Sequence, residues 1–203
     1  VTRRFDAREL VLATHNMGKV EEMRALLAGH DIAISCARDH GIAEPVEDGS
    51  TFLDNARIKA RAVSRATGRI VLADDSGLEV DALNGAPGVH TADWAETPAG
   101  RDFDHAMQRV HVALLASAAP LPWTACFRCV LVMAWPDGLE ITTDGTVEGQ
   151  LVWPTRGAHG HGFDPMFMPA GQSLTFAEMP FATKNALSHR GRALAALIDQ
   201  VFT

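Results

Sequence analysis

The feature that most restricts this chain is the run Ile70-Val71-Leu72-Ala73 leading straight into Asp74-Asp75-Ser76-Gly77. The four apolar residues read as a buried strand. Two adjacent carboxylates at its end are costly to bury unless they are solvated, hold a cation or do acid–base work. Strand side chains alternate, so Asp74 and Asp75 point to opposite faces and one of them serves a given site. Oxygen donors of this kind suit Mg²⁺, which takes few carboxylates and fills its shell with water and phosphate oxygens. The strand is expected to stop at the acid pair. A second, half-buried strand is expected over residues 78–83, then a turn at Asn84-Gly85-Ala86-Pro87-Gly88.

The rest of the chain alternates similar short apolar runs with amphipathic helices. Leu10-Val11-Leu12-Ala13 reads as a strand that opens through Thr14-His15-Asn16-Met17-Gly18-Lys19 into a helix with Val20, Met23 and Leu27 on one face. Thr51-x-x-Asp54 resembles a capping box, and the helix it starts stops near Gly68. A helix is expected over residues 102–117. Cys126 to Trp135 reads as a long strand joined through Pro136-Asp137-Gly138 to Leu139-Glu140-Ile141-Thr142-Thr143 as a hairpin. Ser188 caps a last helix with Leu194, Leu197, Ile198 and Val201 on one face, and the Pro/Gly-rich span 153–171 reads as a functional loop. Mixed α/β is the fold class that follows.

Length and charge narrow the function. At 203 residues with no linker or repeat, the whole span 1–203 is expected to be one domain. A net charge of −7, from 18 Lys+Arg against 25 Asp+Glu, argues against a general nucleic-acid binder. No stretch reaches the ~20 mostly apolar residues of a membrane span, so no membrane partner is expected. The N-terminal Val1-Thr2-Arg3-Arg4-Phe5-Asp6 lacks the apolar core of a signal peptide. Three cysteines, Cys36, Cys126 and Cys129, suit a reducing cytoplasm.

Four groups could carry chemistry. The Thr14–Lys19 loop, leaving a strand and opening a helix, offers backbone N–H groups, Thr14 and Asn16 side chains and the Lys19 charge to an anion; an ordinary strand–helix turn has the same pattern. Asn55 and Lys59 stand i, i+4 and share a helix face, whereas Arg57, Arg61 and Arg65 read as a solvated stripe. Ser188, His189 and Arg190 cluster at a helix N-terminus, where two cations oppose the dipole unless acids compensate. Cys126-Phe127-Arg128-Cys129 has C-x-x-C spacing but lies in a strand, with no second pair, and reads as core. His159 and His161 lack a third metal ligand.

In order along the chain, these segments resemble the inosine triphosphatase family of non-canonical purine nucleoside triphosphate pyrophosphatases. The resemblance covers Val11-Leu12-Ala13-Thr14-x-Asn16-x-Gly18-Lys19, Thr51-Phe52-x-x-Asn55-Ala56-x-x-Lys59-Ala60 and Leu72-Ala73-Asp74-Asp75-Ser76-Gly77-Leu78-x-Val80-Asp81. It continues through Gly85-Ala86-Pro87-Gly88-Val89, Gly162-Phe163-Asp164-Pro165-x-Phe167, Ala177-Glu178-Met179 and Lys184-x-x-x-Ser188-His189-Arg190-Gly191.

The resemblance implies a mixed, twisted sheet in two lobes with helices packed around it, the active site in the cleft between lobes, and a homodimer. It implies Mg²⁺-dependent hydrolysis of ITP, dITP and XTP to the monophosphate and pyrophosphate, cleansing the nucleotide pool. Thr14, His15, Asn16, Met17, Gly18 and Lys19 would hold phosphates, and Lys59 would neutralise phosphate charge. Asp75 would deprotonate water and help hold the metal with Glu47, while Ser76 would contact substrate. His161, Gly162, Phe163, Asp164, Lys184, His189 and Arg190 would line the base pocket. Two positions depart from the family pattern: a pair of acids is here Val46-Glu47, and an aromatic residue is here His161. Two other functions stand beside it: a catalytically silent nucleotide-binding regulator using the same cleft, which the intact Asp75, Lys59 and Lys19 set argues against and a pyrophosphate-release assay decides, and a pyrophosphatase for pyrimidine or modified nucleotides, which would lack the Lys184, Ser188, His189, Arg190 set.

Overall fold

The computed structural model describes residues 3–202; Val1 and Thr2, the start of the N-terminal segment read above, and Thr203 lie outside them. The first half of the chain forms β1 (Glu9–Leu12), α1 (Met17–Leu26), β2 (Ala33–Cys36), α2 (Phe52–Thr67) and β3 (Val71–Val80). A small hairpin, β4 (Glu96–Thr97) and β5 (Gly100–Arg101), precedes α3 (Phe103–Ser117). Then come β6 (Trp123–Ala134), β7 (Glu140–Leu151), β8 (Phe167–Pro169), α4 (Phe181–Leu187) and α5 (His189–Val201). The main sheet has the order β2-β1-β3-β6-β7-β8. It is mixed: β1 runs parallel to β2 and β3, with Leu10 opposite Ile34 and Val11 opposite Val71, whereas β7 and β8 are antiparallel, with Leu151 opposite Phe167.

The chain divides into two compact units. The first runs to Asp75 and takes in Cys129–Gly145 and the chain from Arg190 onward; the second comprises Ser76–Arg128 and Thr146–His189. In the first, strand alternation sorts the apolar residues into two layers. Leu10, Leu12 and Leu72 face a core with Val20 and Met23 of α1 and Leu194 and Leu197 of α5. Val11, Ala13, Val71 and Ala73 face the opposite way, onto Ala56, Ala60 and Val63 of α2. Both faces are covered, which is why these strands read as continuous apolar runs. The alanines at the contact let α2 lie close to the strands. The second unit closes over Leu78, Val80, Val110, Leu114, Phe127, Phe163, Phe167 and Phe176.

Local chemistry sets the helix ends. The Thr51 hydroxyl accepts from the Asp54 N–H at 3.1 Å, and Gly68, at φ +64°, closes α2 with its N–H on the Ser64 carbonyl. Asp102 caps α3 by accepting from the N–H groups of Asp104 and His105. Three expectations need correction. The strand does not stop at the acid pair but continues as one ten-residue β3 through Asp74 and Asp75 to Val80, with a 3-10 turn at Asp81–Leu83 and Asn84 in the left-handed region. It continues because partners on neighbouring elements satisfy both carboxylates, as described below. The span 153–171 is not all loop: it holds a 3-10 turn, Asp164–Met166, and edge strand β8. Helix α4 ends at Ser188, whose backbone is extended, so Ser188 links two helices and does not only start one.

Gly157 provides a test of backbone packing in the second unit. Its φ is +88°, and a Cβ there would lie 2.3 Å from the Ala177 carbonyl carbon, whereas one on Gly68 would meet nothing within 4 Å. Gly68→Ala is expected to cost about 1 kcal/mol from the left-handed backbone alone. Gly157→Ala should cost at least twice that in denaturant unfolding, and equal losses would show that the Ala177 backbone yields.

Candidate active site

The first unit gathers the residues expected to meet phosphate and metal. After β1, Asn16 caps α1, its Oδ1 accepting from the N–H groups of Gly18 at 3.0 Å and Lys19 at 3.3 Å. Thr14 Oγ1 accepts from the Asn16 N–H at 3.1 Å. The expected anion donors of Gly18 and Lys19 are therefore already organised by an internal cap. The His15 ring is tied at 2.8 Å to the Ile42 carbonyl, so its Nε2 carries the proton, and the Met17 side chain is exposed. Lys19 Nζ reaches Asp74 Oδ2 at 2.8 Å.

The two adjacent acids have separate partners, as strand alternation requires. Asp74 lies on the Leu72 face and meets Lys19 of α1 and Arg190 of α5, the latter at 3.2 Å. The Arg190 guanidinium also pairs with Glu22 of α1, and all three are buried. Burial alone would favour the neutral acid at Asp74, but Lys19, Arg190 and Lys59 overcome it and hold the carboxyl far below the usual aspartate range. Burial likewise opposes the Arg190 charge, and Asp74 and Glu22 outweigh it. Glu22 and Asp74 are thus the acids that offset the cation at the start of α5. Nothing in the sequence marks Glu22, one of two consecutive acids on α1, as the buried one.

Asp75 lies on the opposite face, with Val71 and Ala73, towards α2. Its Oδ1 is 3.6 Å from Lys59 Nζ and its Oδ2 accepts from Asn55 Nδ2 at 3.2 Å. Lys59 Nζ also donates to Glu47 Oε2 at 2.6 Å. Lys59 and Asp75 are 5% and 9% exposed, which places this lysine inside the protein and not on its surface. Burial opposes the Lys59 charge, yet Asp75, Asp74 and Glu47 outweigh it and keep the ammonium above the ordinary lysine range. Asp75 differs from its neighbour: burial pushes its carboxyl above the usual range, against the pull of Lys59 and Lys19. A carboxylate with a raised proton affinity beside a fixed cation is suited to take a proton from water.

In the second unit the organising group is Asp164. It is 2% exposed, and its Oδ2 accepts from the His161 N–H and from Lys184 Nζ, each at 2.6 Å. Gly160 fits only as glycine, since a Cβ there would lie 2.2 Å from Asp164 Oδ2. The tight turn leaves the His161 side chain exposed, with Gly162 after it. Phe163 points into the core, edge-on to Phe103 with ring centroids 5.8 Å apart. His189 is buried and stacked on Phe127, centroids 4.8 Å apart and planes 13° apart. Phe127 thus orients a candidate site histidine, although its sequence position marked it only as core. Ser76, half-buried on β3, begins this unit.

The cysteines are free. Burial raises the Cys126 and Cys129 thiols to about 12, and Cys126 donates to Glu79 Oε2 at 3.4 Å, so both remain protonated and unreactive. Among the described residues, no three His, Cys, Asp or Glu side chains converge as a metal cage, and no helix is long and apolar enough to cross a membrane.

Fold and site define a mixed α/β protein with a buried carboxylate–lysine group at the middle of a central strand. The model of the Ham1 family matches residues 10–200, and the chain belongs to that family. It is 54% identical over 202 residues to the dITP/XTP pyrophosphatase of Ruegeria pomeroyi, a match covering 100% of this chain and 99% of that one. Identity to the dITP/XTP pyrophosphatase of Zymomonas mobilis is 47% over 196 residues, 97% of this chain and 93% of that one. The solved structure of a HAM1 protein from Coxiella burnetii superposes with a TM-score of 0.85 at 37% identity, covering 94% of this chain and 96% of that one.

The Asp74 pairing sets a pH signature. Its folded-state pKa lies below the unfolded value, so the carboxylate stabilises the fold above about pH 4 and that contribution fades as pH falls further. Asp74→Asn is expected to cost about 3 kcal/mol at neutral pH, by analogy with removing one partner of a buried pair. That corresponds to a Tm lower by roughly 6–12 °C. The gap between the two proteins should narrow in melts below about pH 4. A gap that stays constant there would show that the Asp74 charge contributes nothing.

Proposed function

We propose that this protein hydrolyses ITP, dITP and XTP at the bond between the α- and β-phosphates, releasing the nucleoside monophosphate and pyrophosphate and so clearing non-canonical purines from the nucleotide pool. The observation that carries the reading is the Glu47–Lys59–Asp75 group, in a chain similar over its whole length to proteins named dITP/XTP pyrophosphatases. In the first unit, Thr14 to Lys19 and Lys59 bind the triphosphate. Asp75 orients a water molecule and accepts its proton. General-base catalysis of this type contributes about 10²–10⁴-fold.

Glu47 and Asp75 both approach one ammonium, and a pair of carboxylates suits a hard divalent cation that takes few protein ligands. When bound there, Mg²⁺ would neutralise phosphate charge and polarise a phosphoryl oxygen. In the second unit, Lys184 and His189 are assigned to the base, with Ser76 contacting substrate and Asp164 holding Lys184 in place. Arg190, also assigned to the base by the family resemblance, already has its guanidinium set by Glu22 and Asp74. Donors facing a 6-oxo group reject the 6-amino group of adenine, because that pairing leaves buried donors unmatched. The protein works as a homodimer in the cytoplasm. The exposed apolar Val112 and Leu115 of α3 and the free cysteines support that reading.

A panel of ITP, dITP, XTP, ATP and GTP with Mg²⁺ tests the proposal, with products identified as monophosphate and pyrophosphate. Asp75→Asn is expected to lower kcat by at least ~10²-fold with the fold intact. Near-normal turnover, or release of single phosphates, would overturn the reading. His161→Phe should lower the KM for ITP severalfold with little change in kcat, since base–aromatic stacking is worth about 1–3 kcal/mol and imidazole supplies part of it. Unchanged constants would show that His161 does not touch the base.

A further inference from the structure

We propose that Asn55 is a positioning residue for hydrolysis: its carboxamide aims the Asp75 carboxylate and anchors the Glu47-Asp48-Gly49 loop to the same helix. The proposal rests on the reading of Asp75 as the base. Asn55 sits one turn before Lys59 on α2, is 5% exposed, and uses both ends of its side chain. Its Oδ1 accepts from the Gly49 N–H at 2.8 Å, and its Nδ2 donates to Asp75 Oδ2 at 3.2 Å. These partners fix the amide. Reversing it would set oxygen against a carboxylate and NH₂ against an N–H, so one orientation survives.

That orientation divides the Asp75 carboxylate between two residues of one helix face. Oδ2 is bound by a neutral donor, and Oδ1 is left towards the Lys59 ammonium at 3.6 Å. A neutral donor on one oxygen orients the carboxylate plane while the other oxygen stays on the Lys59 side. The same carboxamide holds the loop that carries Glu47. Gly49 packs so tightly against α2 that a Cβ would lie 2.6 Å from Asn55 Oδ1 and 2.6 Å from Asp54 Cβ. The four-residue spacing on α2 therefore acts as a ruler: Asn55 sets the loop and Asp75, and Lys59 meets the carboxylates that both present.

The test uses Asn55→Ala, Asn55→Asp, Asp75→Asn and the double variant Asn55→Ala/Asp75→Asn, with ITP and Mg²⁺. Asn55→Asp keeps the shape and an acceptor for Gly49 but replaces the donor to Asp75 with a like charge. Both single Asn55 variants are expected to lower kcat on the order of 10²-fold, the scale of a misplaced catalytic group. KM should stay within about threefold, since ground-state binding is not the term removed. Adding Asn55→Ala to Asp75→Asn should cost almost nothing further, because two residues acting through one group are not additive. Three results would overturn the proposal: kcat near wild type in Asn55→Asp, fully additive losses in the double variant, or losses that follow the folded fraction in thermal melts. If Asn55→Ala does not fold, Asn55→Asp and its KM–kcat split decide alone. Activity retained in Asp75→Asn would instead overturn the underlying assignment of the base.

Discussion

A strand can carry two neighbouring carboxylates into the interior only if cations or donors meet both, and in this protein β3 does so with partners from three helices. Alternation sends Asp74 to the side of α1 and α5, where Lys19 and Arg190 wait, and Asp75 to the side of α2, where Lys59 and Asn55 wait. The same alternation puts Leu72 and Val71 into different apolar layers. Packing and electrostatics therefore depend on a single register. A slip by one residue would exchange the two acids between their partner sets and turn every apolar side chain to the wrong layer.

The two acids are driven to opposite proton affinities by their surroundings. Asp74 meets two cations, one of which is shared with Glu22, so it is held ionised and serves as an anchor between α1 and α5. Asp75 is opposed by Glu47 as well as helped by Lys59, and burial leaves its proton affinity high. Environments that push two titratable groups apart let one short segment hold one carboxylate ionised and leave its neighbour with a raised proton affinity. The scaffold behind this division is plain: small residues, Ala56 and Ala60 against Ala13 and Ala73, bring α2 near enough for a lysine and an asparagine to reach β3.

Much of the scaffold is legible in the amino-acid sequence. The β1 run, the Thr51 cap, the Gly68 stop, the α3 start at Asp102 and the apolar stripe of α5 rest on local propensity, capping chemistry and periodicity, which act over a few residues. Local pattern misleads where distant partners decide. The acid pair looks like the end of a strand because isolated buried carboxylates are costly, and only Lys19 and Arg190, 55 residues before and 116 residues after Asp74, let β3 continue. Short β8 depends on pairing with β7, which no local pattern announces.

Sequence by itself determined the mixed α/β class, the order of its principal helices and strands, and the family-specific residues, because motif spacing and hydrophobic period are properties of the chain as written. It also placed Asn55 and Lys59 on one helix face. Tertiary structure alone decided that Glu22 is the buried acid holding Arg190, that Asp164 unites His161 with Lys184, that Phe127 backs His189, and that Asn55 joins Gly49 to Asp75. Each of these depends on a contact between residues far apart in the chain or on a side-chain direction set by packing. The charge a group carries and the proton it can move follow from such contacts, since burial and neighbouring charges, not residue type, shift the balance between protonation states.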